Sequence, residues 1–368
     1  MRPTSCSIDL AAIEKNVRTL GALVAPAPIC AVVKADGYGH GAIPSARAAI
    51  AGGARWLAVA LIEEGIELRE AGITQPILVM SEHPPAGMEA IVANGLTPTI
   101  YSDEGLAAIG SAAALASEEV SIHLGVDSGM GRVGVQLDEI SDFAAKVGQL
   151  PNLKLTAIWT HCPVADEPDN PFTAKQLADF GASVRRQVAA VDVHVANSAT
   201  AITGQAGDAG DPLMVRCGIS IYGIDPDTAL AGMIELEPAL TLRSHVSFVK
   251  TVQPGTPIGY GHRWTADRET TIATVPIGYA DGVRRDSGLR GRTVLIGGNH
   301  HPIVGTVAMD QLMVDVGSDA EVAVGDEVIF IGRQGDEQIL VTDVAATLDT
   351  IPYEVVCSIG KRVPRTYD

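Results

Sequence analysis

Short apolar runs alternate with amphipathic or alanine-rich segments between Pro28 and Gly223, a pattern that is typical of parallel strands joined by helices. Ser102, followed by Asp103 and Glu104, is a good N-terminal cap for one of these helices. The pattern predicts eight strands, which end at Lys34, Ala60, Met80, Tyr101, Val126, Trp159, Ala196 and Arg216. Since eight parallel strands close a (β/α)8 barrel, we expect an α/β protein with a TIM-type barrel.

After about Leu236 the pattern changes to alternating apolar and polar positions broken by glycine turns. A strand is predicted in each of the runs TLRSHVSFVKTV, TTIATVPIGYADG, RTVLIGG, HPIVGTVAM and DEVIFIG. We therefore expect a barrel domain over residues 1–235 and a β-rich C-terminal domain over residues 236–368. The opening segment SCSIDL is strand-like, and residues 1–10 are compatible with either domain.

Composition narrows the classes of function. A chain of 368 residues is longer than one core usually organises, which agrees with two domains. Its formal charge of −18 disfavours nucleic acid and anionic membranes as partners. Because the start lacks the apolar region of a signal peptide and no stretch has the apolar length of a membrane span, we expect a cytoplasmic protein. Five widely spaced cysteines without a CxxC pair indicate reduced thiols, and no metal site is expected.

In barrels of this type the functional residues lie at the carboxyl ends of the strands, and here those ends are rich in polar residues. They carry Lys34, Arg132 in the loop DSGMGRVG, His161, Ser198, Arg216, Gly218 and Ile219. A lysine after the apolar run ICAVV is desolvated, which lowers the pKa of its amine and favours the neutral form that Schiff-base chemistry needs. The alternative interpretation is a solvated lysine at a strand end.

The other residues at the strand ends also have two interpretations. Ser198 and the amides of Gly218 and Ile219 lie where many barrels bind a phosphate, although serine and glycine are also common in turns. Arg132 and Arg216 suit surface ion pairs or, beside a lysine and a phosphate-like site, an anionic ligand. The glycine-rich loop DGYGHG after the first strand matches neither a P-loop nor a dinucleotide motif.

Nine motifs occur in a fixed order over essentially the whole chain: AVVKADGYGHG, DSGMGRVG, THCPVADE, HVANSA, MVRCGISIYG, GYGHRWTA, PIGYADG, GTVAMDQ and CSIGKRVPR. Together they closely resemble the alanine racemase family. The resemblance implies an amino-acid racemase that uses pyridoxal 5'-phosphate and works as a homodimer with shared active sites. It implies the interconversion of L-alanine and D-alanine, which supplies D-alanine for peptidoglycan synthesis.

The resemblance also implies roles for individual residues. Lys34 resembles the lysine that holds the cofactor and acts as one base, and Arg216 resembles the arginine that meets the pyridine nitrogen. Tyr260 of the partner subunit resembles the base on the opposite face, and His161 resembles the link between that tyrosine and Arg216. The family's phosphate ligands correspond to Tyr38, Ser198, Gly218 and Ile219, and its substrate-carboxylate ligands correspond to Arg132 and the backbone of Met309.

Two positions depart from a common family pattern. Many members place a lysine, modified to a carbamate, beside the carboxylate-binding arginine, whereas this chain has Gly125. Some members place a tyrosine on the phosphate where this chain has Lys361. Three alternatives stay open: a racemase of serine or of a broader set of amino acids, a related pyridoxal decarboxylase or D-threonine aldolase, and a non-enzymatic pyridoxal-phosphate carrier, which the second domain disfavours.

Overall fold

The structure, a computed structural model, describes residues 3–205, 212–319 and 321–368. The chain forms two compact units, one of residues Ile13–Glu237 and one of Met1–Ala12 together with Pro238–Asp368. Among the helices described, none combines the length and the hydropathy that a membrane crossing requires.

The helices and strands follow one another closely along the described ranges. The helices are α1 (Leu10–Leu23), α2 (Lys34–Tyr38), α3 (Ala42–Ala51), α4 (Ile62–Glu70), α5 (Met88–Ala93), α6 (Asp103–Ala116), α7 (Ile140–Gly148), α8 (Phe172–Gln187), α9 (Ser198–Thr203), α10 (Val341–Leu348) and α11 (Pro352–Cys357). The strands are β1 (Ser5–Ile8), β2 (Ile29–Val32), β3 (Trp56–Val59), β4 (Ile77–Val79), β5 (Thr97–Ile100), β6 (Val120–Asp127), β7 (Val135–Gln136), β8 (Leu153–Trp159), β9 (Asp192–His194), β10 (Val215–Cys217), β11 (Leu240–His245), β12 (Phe248–Val252), β13 (Pro257–Ile258), β14 (Trp264–Thr265), β15 (Thr270–Val275), β16 (Thr293–Ile296), β17 (Asn299–Val304), β18 (Leu312–Gly317), β19 (Glu327–Gln334), β20 (Glu337–Ile339) and β21 (Arg365–Tyr367).

Parallel strands form the barrel of the unit Ile13–Glu237, in the order β10-β2-β3-β4-β5-β6-β8-β9. A parallel bridge between Val193 and Pro212, with a hydrogen bond from Leu213 N to Val193 O (2.7 Å), joins the two ends of this series. β2 is buried over its whole length, as expected of a barrel strand that is covered on both faces. The predicted (β/α)8 barrel is confirmed, and so is the helix cap, because Ser102 Oγ accepts a hydrogen bond from Gly105 N (2.9 Å).

The second unit contains a ten-stranded sheet in the order β12-β15-β18-β17-β16-β19-β11-β1-β21, with β20 paired to β19. The segment SCSIDL, whose domain the sequence leaves open, contributes to this sheet, since β1 pairs antiparallel with β11 and parallel with β21. The predicted β-rich character is confirmed. Helices α10 and α11 also belong to this unit, and the strand pattern does not predict them.

One predicted strand of this unit is wrong. The run TLRSHVSFVKTV forms two strands because the chain changes neighbours: β11 pairs with β1 and β19, whereas β12 pairs with β15. At the break, Val246 N donates to Asp326 O (2.8 Å) and Ser247 N donates to Thr274 O (2.8 Å), so two different neighbours satisfy the backbone. The alternation of apolar residues continues across the break, and the sequence pattern therefore does not reveal it.

Candidate active site

The first barrel strand is followed by a left-handed turn that carries Lys34 and Tyr38. Residues 35–38 in α2 all have φ between 53° and 60°. This conformation costs about 1–2 kcal/mol for a residue with a Cβ, so the turn needs compensating interactions. The Asp36 carboxylate supplies one by accepting from Ala42 N (2.9 Å). A run of such residues is typical of a functional segment that the surrounding structure holds in place.

Tyr38, Ser198 and Gly218 lie together at the barrel mouth. The Tyr38 hydroxyl lies 2.5 Å from the position that a Cβ on Gly218 would take, so only glycine fits beside this ring. Gly218 N donates to Ser198 Oγ (2.9 Å), which leaves the Ser198 proton able to point at a ligand. Ile219 follows directly and is buried. The structure thus brings together the residues that the sequence predicts as phosphate ligands.

Tyr222, which the sequence interpretation missed, packs against this group. Its ring centroid lies 5.3 Å from that of Tyr38 and 4.4 Å from that of His40. Its hydroxyl donates to Val32 O (3.1 Å) at the end of β2. Because the Tyr222 ring is fully buried and its hydroxyl is bonded, it forms a fixed wall beside the Tyr38 ring. The available signal was the tyrosine that ends the motif MVRCGISIYG.

Arg216 is buried on β10, and several acceptors hold its guanidinium. Nη1 donates to the backbone oxygen and to Nδ1 of His194 (both 2.8 Å). Nη2 donates to Thr160 O (2.9 Å) and lies 3.5 Å from His161 Nδ1, while the Trp159 ring centroid lies 4.7 Å from the guanidinium carbon. Burial lowers the pKa of Arg216 to about 10, so the group stays charged at neutral pH. Nε has no hydrogen bond to any described residue and is the nitrogen left for a ligand.

Two further histidines, which the sequence interpretation also missed, extend the network from Arg216. His194 Nε2 lies 3.0 Å from His123 Nδ1, and both rings are buried. Burial, and then the charge of Arg216, lower the pKa of His194 well below its usual value and that of His123 to about 3. Neutral imidazoles let His194 accept from Arg216 on β10 and continue the hydrogen bonding to His123 on β6. The sequence signal was a histidine inside each of the apolar strands SIHLGV and DVHVA.

His161 lies where several positive charges meet. Burial, and then the charges of Arg216, Arg132 and Lys34 in that order, lower its pKa to about 3. Lys34 after the first barrel strand and Arg132 after the fifth therefore approach the same imidazole. The neutral ring lets Nδ1 accept from the Arg216 guanidinium.

A cleft beside His161 is lined by Tyr101, Gly125 and Arg132, among other residues. Arg132 is exposed and has no hydrogen bond or ion pair with any described residue. A Cβ on Gly125 would lie 3.1 Å from Thr99 Cγ2 and 3.2 Å from Tyr101 Cδ1. The Tyr101 ring thus occupies the space beside Gly125, and a lysine at this position would require the ring to move.

Tyr260 and Met309 lie in the β-rich unit, and their side chains are 68% and 51% exposed. Tyr260 begins a short 3-10 turn directly after β13. Met309 lies in the loop before β18, where its backbone oxygen accepts from Ala280 N (3.1 Å). The role of Tyr260 as the base opposite Lys34 and the role of Met309 at the substrate carboxylate remain predictions from the family resemblance.

The chain resembles known racemases. Two family models match it: alanine racemase, N-terminal domain, over residues 8–226, and alanine racemase, C-terminal domain, over residues 239–367. The alanine racemase of Symbiobacterium thermophilum is 42% identical over 372 residues, which cover 100% of this chain and 97% of that protein.

Solved structures agree with the sequence relatives. The alanine racemase from D-cycloserine producing Streptomyces lavendulae has a TM-score of 0.94 and 35% identity, covering 100% of this chain and 97% of that chain. The histidine racemase from Leuconostoc mesenteroides subsp. sake has a TM-score of 0.87 and 26% identity, covering 100% of this chain and 98% of that chain.

Proposed function

The chain belongs to the alanine racemase family, and from its site we propose that it interconverts L-alanine and D-alanine with pyridoxal 5'-phosphate as its cofactor. One observation carries this proposal: Lys34, the group of Tyr38, Ser198 and Gly218, and the charged Arg216 all lie at or just beyond the carboxyl ends of parallel strands of one barrel. Barrel enzymes bind their ligands at that end of the strands.

The residues present fit pyridoxal phosphate. The hydroxyls of Tyr38 and Ser198 and the backbone at Gly218 and Ile219 would hold the phosphate, because the Gly218 cradle has no room for a Cβ and brings these donors together. Lys34 would hold the cofactor covalently. When bound, the cofactor withdraws electrons from the amino acid and makes its Cα proton exchangeable.

Arg216 would donate through Nε to the pyridine nitrogen. Its remaining nitrogens are already bonded to His194 and Thr160, so the guanidinium is fixed in place. A guanidinium does not release its proton at neutral pH, and the pyridine nitrogen facing it would stay unprotonated. Arg216 would thereby limit electron withdrawal by the ring and disfavour side reactions such as transamination.

Two acid/base groups would act on opposite faces of the substrate. Racemisation requires one proton to leave Cα and another to arrive on the other face, and we assign these roles to Lys34 Nζ and to Tyr260 of the partner subunit. A phenol with a pKa of about 10 forms little phenolate at neutral pH and needs a positive charge nearby. His161, at 3.5 Å from Arg216, would connect the tyrosine to that charge.

Arg132 and the backbone of Met309 would bind the substrate carboxylate. Arg132 suits this role because its guanidinium is exposed at the cleft beside His161 and has no partner among the described residues. With Tyr260 and Met309 supplied by the partner subunit, a homodimer with two shared sites follows. D-alanine made in the cytoplasm would serve peptidoglycan synthesis, and the homodimer and the cytoplasmic location remain predictions.

A racemase of another amino acid is the second candidate, because the histidine racemase of Leuconostoc mesenteroides has the same fold. One methylene in a pocket changes discrimination by only about 10- to 200-fold. Deuterium incorporation and inversion at Cα, measured over a panel of L-amino acids, decide between the two. Alanine should give the highest kcat/KM, and a higher value for serine or histidine would reassign the substrate. Release of carbon dioxide or of retro-aldol products would favour the decarboxylase or aldolase alternative.

The cofactor assignment is tested by substituting Lys34. Lys34→Ala should abolish both racemisation and the absorption of the covalently held cofactor, while Lys154→Ala, on an exposed position of β8, should change neither. Borohydride reduction of the wild type should place the pyridoxyl group on the peptide that contains Lys34. A pyridoxyl group on any other lysine would end this assignment.

A further inference from the structure

The β-rich unit contains a cavity that none of the proposed active-site residues lines. The cavity has about 450 Å³ of empty space, part of it open to solvent. Arg292, one of the lining residues, is only 5% exposed. The walls are mostly apolar, and the apolar lining residues are Leu242, Ile331, Val344, Leu348, Val355 and Ile359.

Arg292 is buried without a counter-charge among the described residues. Within that part of the chain its Nε has no hydrogen-bond partner, and Nη2 makes only a long hydrogen bond to Phe330 O (3.4 Å). The Phe330 ring centroid lies 5.9 Å from the guanidinium carbon. No carboxylate of the described residues forms an ion pair with Arg292. Burial lowers the pKa of Arg292 to about 10, so the group keeps its charge at neutral pH. A buried charge is costly unless an opposite charge or water meets it.

The rim of the cavity limits the charge of a ligand. Arg284 is already engaged, since it donates to Leu348 O (2.9 Å) and to the Asp286 carboxylate (3.2 Å). Glu354 lines the cavity, accepts from the Thr350 hydroxyl and forms no ion pair with a described residue. Its carboxylate repels a multiply charged anion such as phosphate. A single negative charge on a planar group matches the fork of one guanidinium.

We propose that this cavity binds a short aliphatic monocarboxylate. The carboxylate pairs with the Arg292 guanidinium, and the aliphatic tail contacts the apolar wall formed by α10, α11 and β19. Pairing satisfies the unbonded donors of Arg292, and burial of the tail removes apolar wall from water. The site is thus separate from the residues that we assign to the substrate carboxylate.

Isothermal titration with sodium 2-methylpropanoate tests the proposal. The titration uses the full-length holoenzyme with the substitution Arg132→Gln, which disables the proposed substrate-carboxylate site. This variant should bind the probe, and it should not bind the neutral isostere 2-methylpropanamide. Adding Arg292→Met should weaken binding of the carboxylate by roughly tenfold or more, since a charged hydrogen-bonded partner is lost. Equal binding of acid and amide, undiminished binding after Arg292→Met, or no binding to the Arg132→Gln enzyme would each overturn the proposal.

Two controls separate loss of the site from loss of the fold. Replacing an unpaired buried charge by an apolar residue of similar length is usually neutral or stabilising, so the Tm of Arg292→Met without ligand should not fall. Val344→Phe keeps the guanidinium but fills the space beside the apolar wall, so this variant should also no longer bind the probe. Arg333→Gln, on an exposed position of β19, should bind as the parent enzyme does. A folded Val344→Phe enzyme with full affinity contradicts the assigned cavity.

Discussion

Neighbouring residues set the charge states and backbone conformations of single residues at the barrel mouth. Arg216 stays charged although it is buried, because backbone oxygens of Thr160 and His194 accept from it. His161 stays neutral because burial and neighbouring positive charges oppose its protonation. The left-handed residues 35–38 are kept by hydrogen bonds such as the one from Ala42 N to Asp36.

Tyr260→Phe should lower kcat by roughly 10²- to 10⁴-fold, because it removes one acid/base group and leaves its ring. The affinity for pyridoxal phosphate should stay unchanged, since the proposed phosphate ligands lie in the barrel unit. Racemisation rates and a cofactor titration followed by absorbance give both values. Tyr367→Phe, at an exposed tyrosine on β21 of the same unit, is the control. If Tyr260→Phe racemises alanine within a few-fold of the wild type, another residue is the second base.

Gly218→Ala should weaken cofactor binding by roughly tenfold or more, because overpacking costs about 1–3 kcal/mol. The added Cβ would lie 2.5 Å from the Tyr38 hydroxyl, so the ring must move. The added methyl of Gly148→Ala, at the end of α7, meets open space and should leave the affinity unchanged. Tyr38→Phe removes the hydroxyl that the added methyl at position 218 would meet. The double variant with Gly218→Ala and Tyr38→Phe should therefore lose less cofactor affinity than the sum of the two single losses. Strict additivity would show that the contact does not limit binding.

At the scale of elements, the barrel strands bring together polar groups that are distant in sequence. His123 lies on β6, His194 on β9 and Arg216 on β10, and hydrogen bonds connect the three. The ring of Trp159, on β8, stacks on His194 with centroids 5.7 Å apart. The network therefore crosses several strands, and its protonation should affect the stability of the barrel.

Acid should destabilise the barrel through its buried histidines. The folded-state pKa values of His123 and His161 are about 3, below the ordinary value of 6.5, and that of His194 is also lowered. Above pH 6.5 neither the folded nor the unfolded state binds these protons. Below it only the unfolded state does, so the free energy of unfolding falls as the pH falls towards about 3. Each such histidine contributes a slope of up to about 1.4 kcal/mol per pH unit.

Urea unfolding at several pH values measures this slope. His123→Gln removes one of the histidines and can keep a hydrogen bond to His194. The slope of the unfolding free energy between about pH 4 and 6 should therefore fall by the contribution of about one proton, up to about 1.4 kcal/mol per pH unit. His300→Gln, an exposed histidine on β17, should leave the slope as it is. An unchanged slope in His123→Gln would mean that His123 is not kept neutral in the folded state.

At the scale of the whole molecule, the proposed mechanism requires two subunits. Lys34 lies in the barrel unit and Tyr260 in the β-rich unit, and the family resemblance assigns the tyrosine to the partner's site. In a two-fold dimer each chain then contributes to both sites. Neither a Lys34→Ala dimer nor a Tyr260→Phe dimer has an intact pair of bases.

Mixing inactive Lys34→Ala with inactive Tyr260→Phe under subunit exchange should restore activity. Each mixed dimer contains one site with both defects and one site with neither. With equal amounts and random pairing, half the dimers are mixed, and about a quarter of wild-type activity should return. The racemisation rate of the mixture is measured alongside proof of exchange by native mass spectrometry. No recovery despite exchange would place both bases in one chain.

Much of the site could be predicted because a parallel barrel collects the carboxyl ends of its strands in one place. The apolar runs located those ends, and Lys34, His161, Ser198 and Arg216 were therefore expected together. Glycine at position 218 could also be understood in advance as part of a loop for phosphate. In these cases short-range patterns determine the structure. The alternation of apolar and polar residues decides which face of a strand a residue occupies, and its position in the apolar run decides how close it lies to the strand's end.

Other features were decided only by the tertiary structure. The hydrogen bond between His123 and His194, the Tyr101 ring beside Gly125 and the unpaired charge of Arg292 all depend on which residues lie nearby in space. Burial and hydrogen-bond partners come from segments far apart in the chain, and strand order brings them together. The same reason explains the break between β11 and β12, where the apolar alternation continues but the neighbouring strands change. Local sequence sets the elements, and their mutual packing sets the charge states on which the chemistry depends.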